Sequence, residues 1–175
     1  FPSTHMKVID PEDPTREGAQ GERGELLIKG PQVFQGYWHN EEETDKTLLP
    51  DHWLRTGDIV TVDEDGFTSI VDRVKELIIT GGFNVAPSEV EAVLLTHPGV
   101  RDAAVVGLTN EKVGGERLNA AVTPEEGVNL DHADLRHWCK ERLTGYKVPR
   151  EFYVINEMPK SMLGKVLRKQ VRERL

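Results

Sequence analysis

Three polar clusters in this chain carry residue types able to do chemistry, and they lie far apart in sequence. In WLRTGD (53–58), Asp58 sits at the entrance to a strand. A carboxylate there accepts two hydrogen bonds at once, which suits the adjacent hydroxyls of a ribose; a turn aspartate satisfying nearby backbone has the same signature. In DRVKELIITGGFNVAPSEVE (72–91), Arg73 offers a rigid donor fork matched to phosphate or ribose oxygen. Gly81 and Gly82 in the same stretch form either a plain turn or a place where backbone must approach a ligand closely. In PKSMLGKVLRK (159–169), Lys165 is a mobile point charge on a long stem, and Gly164 before it frees the loop to project it. Its ammonium could meet negative charge developing on a phosphate, or be a solvated charge in a basic tail.

These clusters need elements to hold them. THMKVIDP (4–11) and GELLIKG (24–30) read as strands bounded by turn residues. HNEEETDKTL opens with Asn40 as an N-cap, continues with acidic residues and then Lys46, and so predicts a short helix. GDIVTVDEDGFTSIVD alternates and turns at Asp65–Gly66, a hairpin signal. Short strands at this spacing predict an antiparallel, barrel-like β segment for the first third.

The pattern then changes. KELIIT predicts a strand ending at Gly81–Gly82, and PSEVEAVLLTHPG a helix with Pro87 in its first turn, Ser88 and Glu91 as a capping box, and Pro98–Gly99 as its stop. DAAVVGL and LNAAVT are short apolar strands. DHADLRHWCKERL places Leu135, Trp138 and Leu143 near helical spacing, EFYVI is a last strand, and VLRKQVRERL a basic terminal helix. The fold class is therefore α+β: a barrel-like β segment over 1–72, then a small α+β domain over 73–175. The boundary near Asp72–Lys75 has no Gly/Ser linker, so the link is short and acts as a hinge.

Composition narrows the function classes. The net charge is −8, unevenly spread: residues 1–71 hold 6 Lys+Arg against 15 Asp+Glu, whereas 147–175 hold 8 against 3. A basic tail on an acidic body fits either an anionic ligand or a solvated helix face. The tail lacks interleaved aromatics and the chain is acidic overall, which argues against nucleic acid. A non-catalytic anion- or nucleic-acid-binding module is the rival from a different class. One cysteine, Cys139, allows no internal disulfide and no cysteine metal site, so no metal ligands are assigned and a reduced, cytoplasmic setting is expected. No apolar run reaches membrane-spanning length. The chain opens at Phe1 and its first methionine, Met6, falls within a strand, which reads as a piece of a longer protein.

In this order, GELLIKGPQVFQGYW, WLRTGD, DRVKELIITGGFNVAPSEVE and GYKVPREFYVINEMPKSMLGKVLRK resemble the carboxy-terminal part of the adenylate-forming enzymes. Acyl-CoA synthetases, adenylation domains of peptide synthetases and beetle luciferases belong to that family. The resemblance covers essentially the whole chain, and ELIITGGFNVAPSEVE looks most like bacterial medium- or long-chain fatty-acid–CoA ligases. It implies ATP, Mg2+ and coenzyme A as substrates, acting on a fatty acid through an acyl-adenylate. By the same resemblance, Asp58 and Arg73 would bind the nucleotide and Lys165 would serve adenylation. Lys75 would be the pivot, and Gly81, Gly82 and Phe83 would line the coenzyme A tunnel.

The expected partners are these small molecules and the rest of a large adenylation domain, with a peripheral membrane contact for the acyl substrate. A carrier-protein phosphopantetheine is the alternative acceptor. Ile79 and Gly81 stand where plant phenylpropanoid ligases and luciferases carry lysines, which argues against those subfamilies. The family's phosphate loop and acyl pocket have no counterpart here, so the fragment alone is expected to be inactive.

Overall fold

The computed structural model describes residues 2–11, 13–18, 21–109 and 115–175, and over these the chain forms ten strands and four helices. Contacts divide it into two compact units, Phe1–Lys75 and Glu76–Leu175. Among the described residues no helix is long and apolar enough to cross a membrane.

The first unit is one antiparallel sheet. His5–Ile9 (β1) pairs with Gly24–Lys29 (β2), and β2 with Trp53–Val62 (β4). The two-residue strand Leu48–Leu49 (β3) and Thr68–Arg73 (β5) both pair with β4. The order β1-β2-β4-β3, with β5 on β4, leaves an open sheet among the described residues, where the sequence pointed to a barrel-like one. A register irregularity at Ile59–Val60 lets two successive residues of β4 be buried, at 3% and 0% exposure, against the strict alternation of a flat strand.

Local chemistry explains the connections. Glu41–Thr47 (α1) starts where Asn40 Oδ1 accepts the Glu43 amide at 3.1 Å, and three glutamates fill its first turn. The β4–β5 hairpin closes on Asp63, whose Oδ1 accepts the amides of Asp65 and Phe67, with Gly66 at φ +85°.

The second unit has a sheet of three strands sandwiched between helices. Val100–Thr109 (β8) and Glu116–Pro124 (β9) pair antiparallel, and Glu151–Val154 (β10) lies parallel to β9. Successive side chains of a strand point to opposite faces, so a strand covered on both sides must be apolar throughout. DAAVVGL meets that condition. Ala103 and Val105 pack with Leu118, Ala120 and Val122 against the helices Pro87–Leu95 (α2) and His132–Arg142 (α3). Ala104, Val106 and Ala121 pack on the other face against Met158 and against Val171 of Arg168–Arg174 (α4). Cys139 of α3 is inside the first of these cores, and burial pushes its thiol up to about 11.

Two local expectations are corrected. The run KELIIT is strand only over Ile78–Thr80 (β6); Val74–Glu76 is a single 3-10 turn. The Ser88–Glu91 capping box does not form. Residue Ala86 is the N-cap of α2, without a side-chain bond, and Ser88 lies inside the first turn. The Glu91 carboxylate accepts instead from the Val105 amide at 2.8 Å and from the Arg168 guanidinium. A charge-assisted fork outcompetes a neutral capping contact, and Pro87 has already removed one orphan donor from the helix start.

Candidate functional site

The structure brings Asp58 and Arg73 together. They are direct register partners across β4 and β5, and Arg73 Nε lies 3.0 Å from Asp58 Oδ1. The Asp58 side chain is 19% exposed and the Arg73 side chain 57%, so the pair sits at the surface with one carboxylate oxygen still able to accept. Among the described residues Oδ2 of Asp58 has no partner.

The stretch of β4 that presents Asp58 is held from beneath by Glu25, a residue absent from the sequence-derived set. It is 1% exposed. Its two oxygens accept from Arg55 Nε and Nη2, the shortest contact being 2.5 Å, and Oε1 also accepts the Gly57 amide at 3.3 Å. Gly57 has φ +71°, a conformation that favours glycine. Thr56 Oγ1 donates to the Leu26 carbonyl and accepts the Asp58 amide, so each residue of Arg55–Asp58 is tied to the strand or turn beside it. The signal for Glu25 was in GELLIKG: a carboxylate inside an apolar strand needs a partner cation once the fold buries it.

Lys165 stands on a braced hairpin. Lys160 bridges Val166, Ser161 N–H donates to the Lys165 carbonyl at 2.8 Å, and the Lys165 amide donates to Ser161 Oγ at 3.2 Å. Gly164, at φ +79°, makes the turn. The side chains at the tip, Met162 and Leu163, are fully solvent-facing, and Lys165 is exposed. Among the described residues its ammonium has no ion-pair partner, unlike Lys46, Lys147 and Lys160. A cation without an ion-pair partner among the described residues is available to an external anion.

Gly81 and Gly82 are the two central residues of a tight hairpin between β6 and Phe83–Val85 (β7). Both have positive φ, +59° and +81°, the requirement of a type I′ turn. A Cβ at either would meet nothing within 4 Å, so the backbone at this tip is open to approach. Phe83 is stacked on Tyr146, with ring centroids 4.5 Å apart at 21°. Tyr146 too escaped the sequence analysis, although an aromatic beside Lys147 in GYKVP marked it. Lys147 itself is held by Glu89 at 2.7 Å. Lys75 is exposed, in the 3-10 turn where the first unit ends.

No group of three His, Cys, Asp or Glu side chains among the described residues could hold a metal ion.

The family profile of the AMP-binding enzyme C-terminal domain matches residues 89–165. A long-chain-fatty-acid–CoA ligase of Salmonella typhimurium is 45% identical over 172 residues, 98% of this chain and 30% of that protein. The chain belongs to the adenylate-forming, AMP-binding enzyme family, as its C-terminal part. A 2-succinylbenzoate–CoA ligase of Geobacillus kaustophilus is 45% identical over 157 residues, 90% of this chain and 32% of that ligase. Among solved structures, ATP-bound MatB from Rhodopseudomonas palustris superposes with a TM-score of 0.88 at 35% identity, covering 99% of this chain and 34% of MatB. This adenylate-forming C-terminal part thus spans about 30% of the length of the curated relatives it matches. The α+β architecture agrees with the family's C-terminal region.

Proposed function

We propose that the full-length protein is an ATP-dependent, AMP-forming acyl-CoA synthetase acting on a fatty acid. The observation that carries this is Lys165: an exposed ammonium with no ion-pair partner among the described residues, on a hydrogen-bonded hairpin, in a chain 45% identical to a long-chain-fatty-acid–CoA ligase.

Two half-reactions follow. In the first, a carboxylate oxygen of the fatty acid bonds to the α-phosphorus of Mg-ATP and the bond to the β-phosphate bridging oxygen breaks, releasing pyrophosphate. Charge builds on the α-phosphoryl oxygens, and Lys165 stabilises it electrostatically. In the second, the coenzyme A thiol loses its proton to solvent, its sulfur attacks the acyl carbonyl, and AMP leaves. Asp58 accepts the ribose hydroxyls and Arg73 contacts the nucleotide. The Gly81–Gly82 turn gives pantetheine a path without side-chain obstruction, beside Phe83.

Residues 1–72 supply the end of the large adenylation body and 73–175 a mobile lid. That lid cannot present the lysine and the glycine tip to one site at the same time, so it turns about Lys75 between steps. The fragment by itself is inactive in this scheme, because ATP and acyl pockets need the rest of the protein. The peripheral membrane contact anticipated for the acyl substrate has no support in the structure and forms no part of the proposal.

The test is product analysis of the full-length protein with ATP, Mg2+, coenzyme A and a series of fatty acids. Stoichiometric acyl-CoA, AMP and pyrophosphate are expected. Accumulation of acyl-AMP without thioester would instead point to a carrier-protein acceptor, and no fatty-acid-dependent pyrophosphate release at all would end the proposal.

A further inference from the structure

Arg168, the first residue of α4, follows Lys165 by three positions and joins four elements at once. Its Nε donates to Glu91 Oε1 at 2.9 Å and its Nη2 to Glu91 Oε2 at 2.6 Å, a bidentate grip on α2. Its Nη1 donates to the carboxylate of Glu76. Glu76 is the first residue of the second unit and directly follows Lys75. Glu91 in turn accepts the Val105 amide of β8. The guanidinium is planar with its donors in fixed directions, so filling both of its edges with carboxylates sets its orientation as well as its position.

The grip falls at one root of the Lys165 hairpin. The other root is held separately: Lys160 Nζ reaches Asp102 Oδ1 of β8 at 2.5 Å, and the Leu167 amide donates to the Pro159 carbonyl at 2.9 Å. Met158 and Val171 pack into the second core on either side of the hairpin, and the Lys160 clamp adds a polar anchor at one root only. With Arg168 in place, the hairpin has two anchors on different elements, and one of them leads straight to the turn beside Lys75. The Arg168 and Glu91 side chains are 27% and 13% exposed, so water competes poorly for this contact.

We infer that Arg168 is a positioning residue for the adenylation half-reaction. By holding Glu91 and Glu76 together it makes the Lys165 hairpin and the turn after Lys75 a single rigid piece, so that rotation at the turn carries the ammonium to a fixed place. The inference rests on the role proposed above for Lys165 and adds a residue that touches neither substrate nor nucleotide.

The experiment uses full-length enzyme carrying Arg168→Ala, Arg168→Lys or Glu76→Gln. Each is assayed for ATP–pyrophosphate exchange and for thioester formation from chemically prepared acyl-AMP and coenzyme A, with thermal melts alongside. Misplacement of a catalytic group by about 1 Å costs up to about a hundredfold, so Arg168→Ala should lower kcat for exchange roughly ten- to hundredfold with little change in KM for ATP. Thioester formation should be spared. Arg168→Lys, which reaches one carboxylate but not both, should recover part of the exchange rate. Glu76→Gln removes only the link to the turn at a half-exposed side chain; it should retain the wild-type melting temperature and show a smaller loss confined to exchange.

Unchanged exchange in Arg168→Ala overturns the inference. So does an equal fall in both half-reactions, or wild-type exchange in Glu76→Gln. Wild-type enzyme that makes no acyl-adenylate would reject the parent proposal instead, which keeps the two failures apart.

Discussion

Arg73 Nε lies 3.0 Å from Asp58 Oδ1, and the two residues are direct partners across the β4–β5 ladder. The ladder sets the pair's separation, so no loop has to order to bring the two side chains together. One Asp58 oxygen is engaged by the guanidinium and the other points free among the described residues, which leaves a charged acceptor whose orientation is already chosen. Loss of a charge-assisted hydrogen bond is worth about 1.5–3 kcal/mol. Asp58→Ala should therefore raise KM for ATP in the full-length enzyme roughly ten- to hundredfold. Arg73→Ala should do so by less, since it removes an orienting partner and one contact. Initial-rate kinetics at saturating fatty acid decide it; an unaltered ATP KM in Asp58→Ala would remove Asp58 from the nucleotide site.

Lys165→Ala should depress ATP–pyrophosphate exchange roughly 100- to 1000-fold, the range for losing one charge-stabilising donor. Thioester formation from preformed acyl-AMP should change far less, because in the proposed mechanism Lys165 meets charge that develops in the first step only. Exchange at the wild-type rate would mean that the hairpin displays its cation for some other purpose.

Glu25→Gln should destabilise the protein by roughly 2–3 kcal/mol, somewhat under the cost of breaking a fully buried pair because the Arg55 side chain is 28% exposed. The amide offers one acceptor where Arg55 and Gly57 now share two. Urea denaturation gives the stability change, and the ATP KM should rise with it as the Arg55–Asp58 stretch of β4 loosens. Stability that does not move would show Glu25 to be no strut.

Gly82→Ala introduces a side chain at φ +81° with nothing for it to strike, so the cost is conformational: about 1 kcal/mol. Asn at the same position should cost less, since it tolerates the left-handed region. In both variants the predicted kinetic effect is a higher KM for coenzyme A with adenylation intact. A defect in pyrophosphate exchange alone would contradict the assignment of this tip to the thiol step.

Burial pushes the Cys139 thiol up from 9.0 to about 11. The unfolded chain therefore releases this proton first as pH rises, and the folded state binds more protons between those two values. The contribution to stability is complete below about pH 9 and is lost progressively towards pH 11. Urea midpoints across that window should fall more steeply for the wild type than for Cys139→Ala. At pH 8 the native thiol should resist a disulfide reagent and react only after unfolding.

Much of the fold was legible in the sequence because its signals are local. Asn40 caps α1, Asp63–Gly66 closes the hairpin, Gly81–Gly82 makes the two-residue turn, and the two-faced apolar runs of β8 and β9 are sandwiched strands. Each depends on partners a few residues away or on strand periodicity alone. The membership in a family followed from the order of four motifs, and that order nominated Lys165, Asp58 and Arg73 as candidate site residues.

Tertiary structure decided what those residues rest on. Glu91 stands three positions after Ser88, the spacing of a capping box, yet its carboxylate is taken by Arg168, 77 residues downstream. Glu25 reaches Arg55 from 30 residues upstream, and Phe83 finds Tyr146 only when α2, the sheet and α3 have been laid between them in the chain. Spacing reports hydrogen bonds within a turn or a helix; it is blind to which of several carboxylates a distant guanidinium will meet. That choice is made by packing, when α4 settles on one face of the sheet and brings Arg168 between Glu91 and Glu76, where charge and burial favour the fork over any local contact.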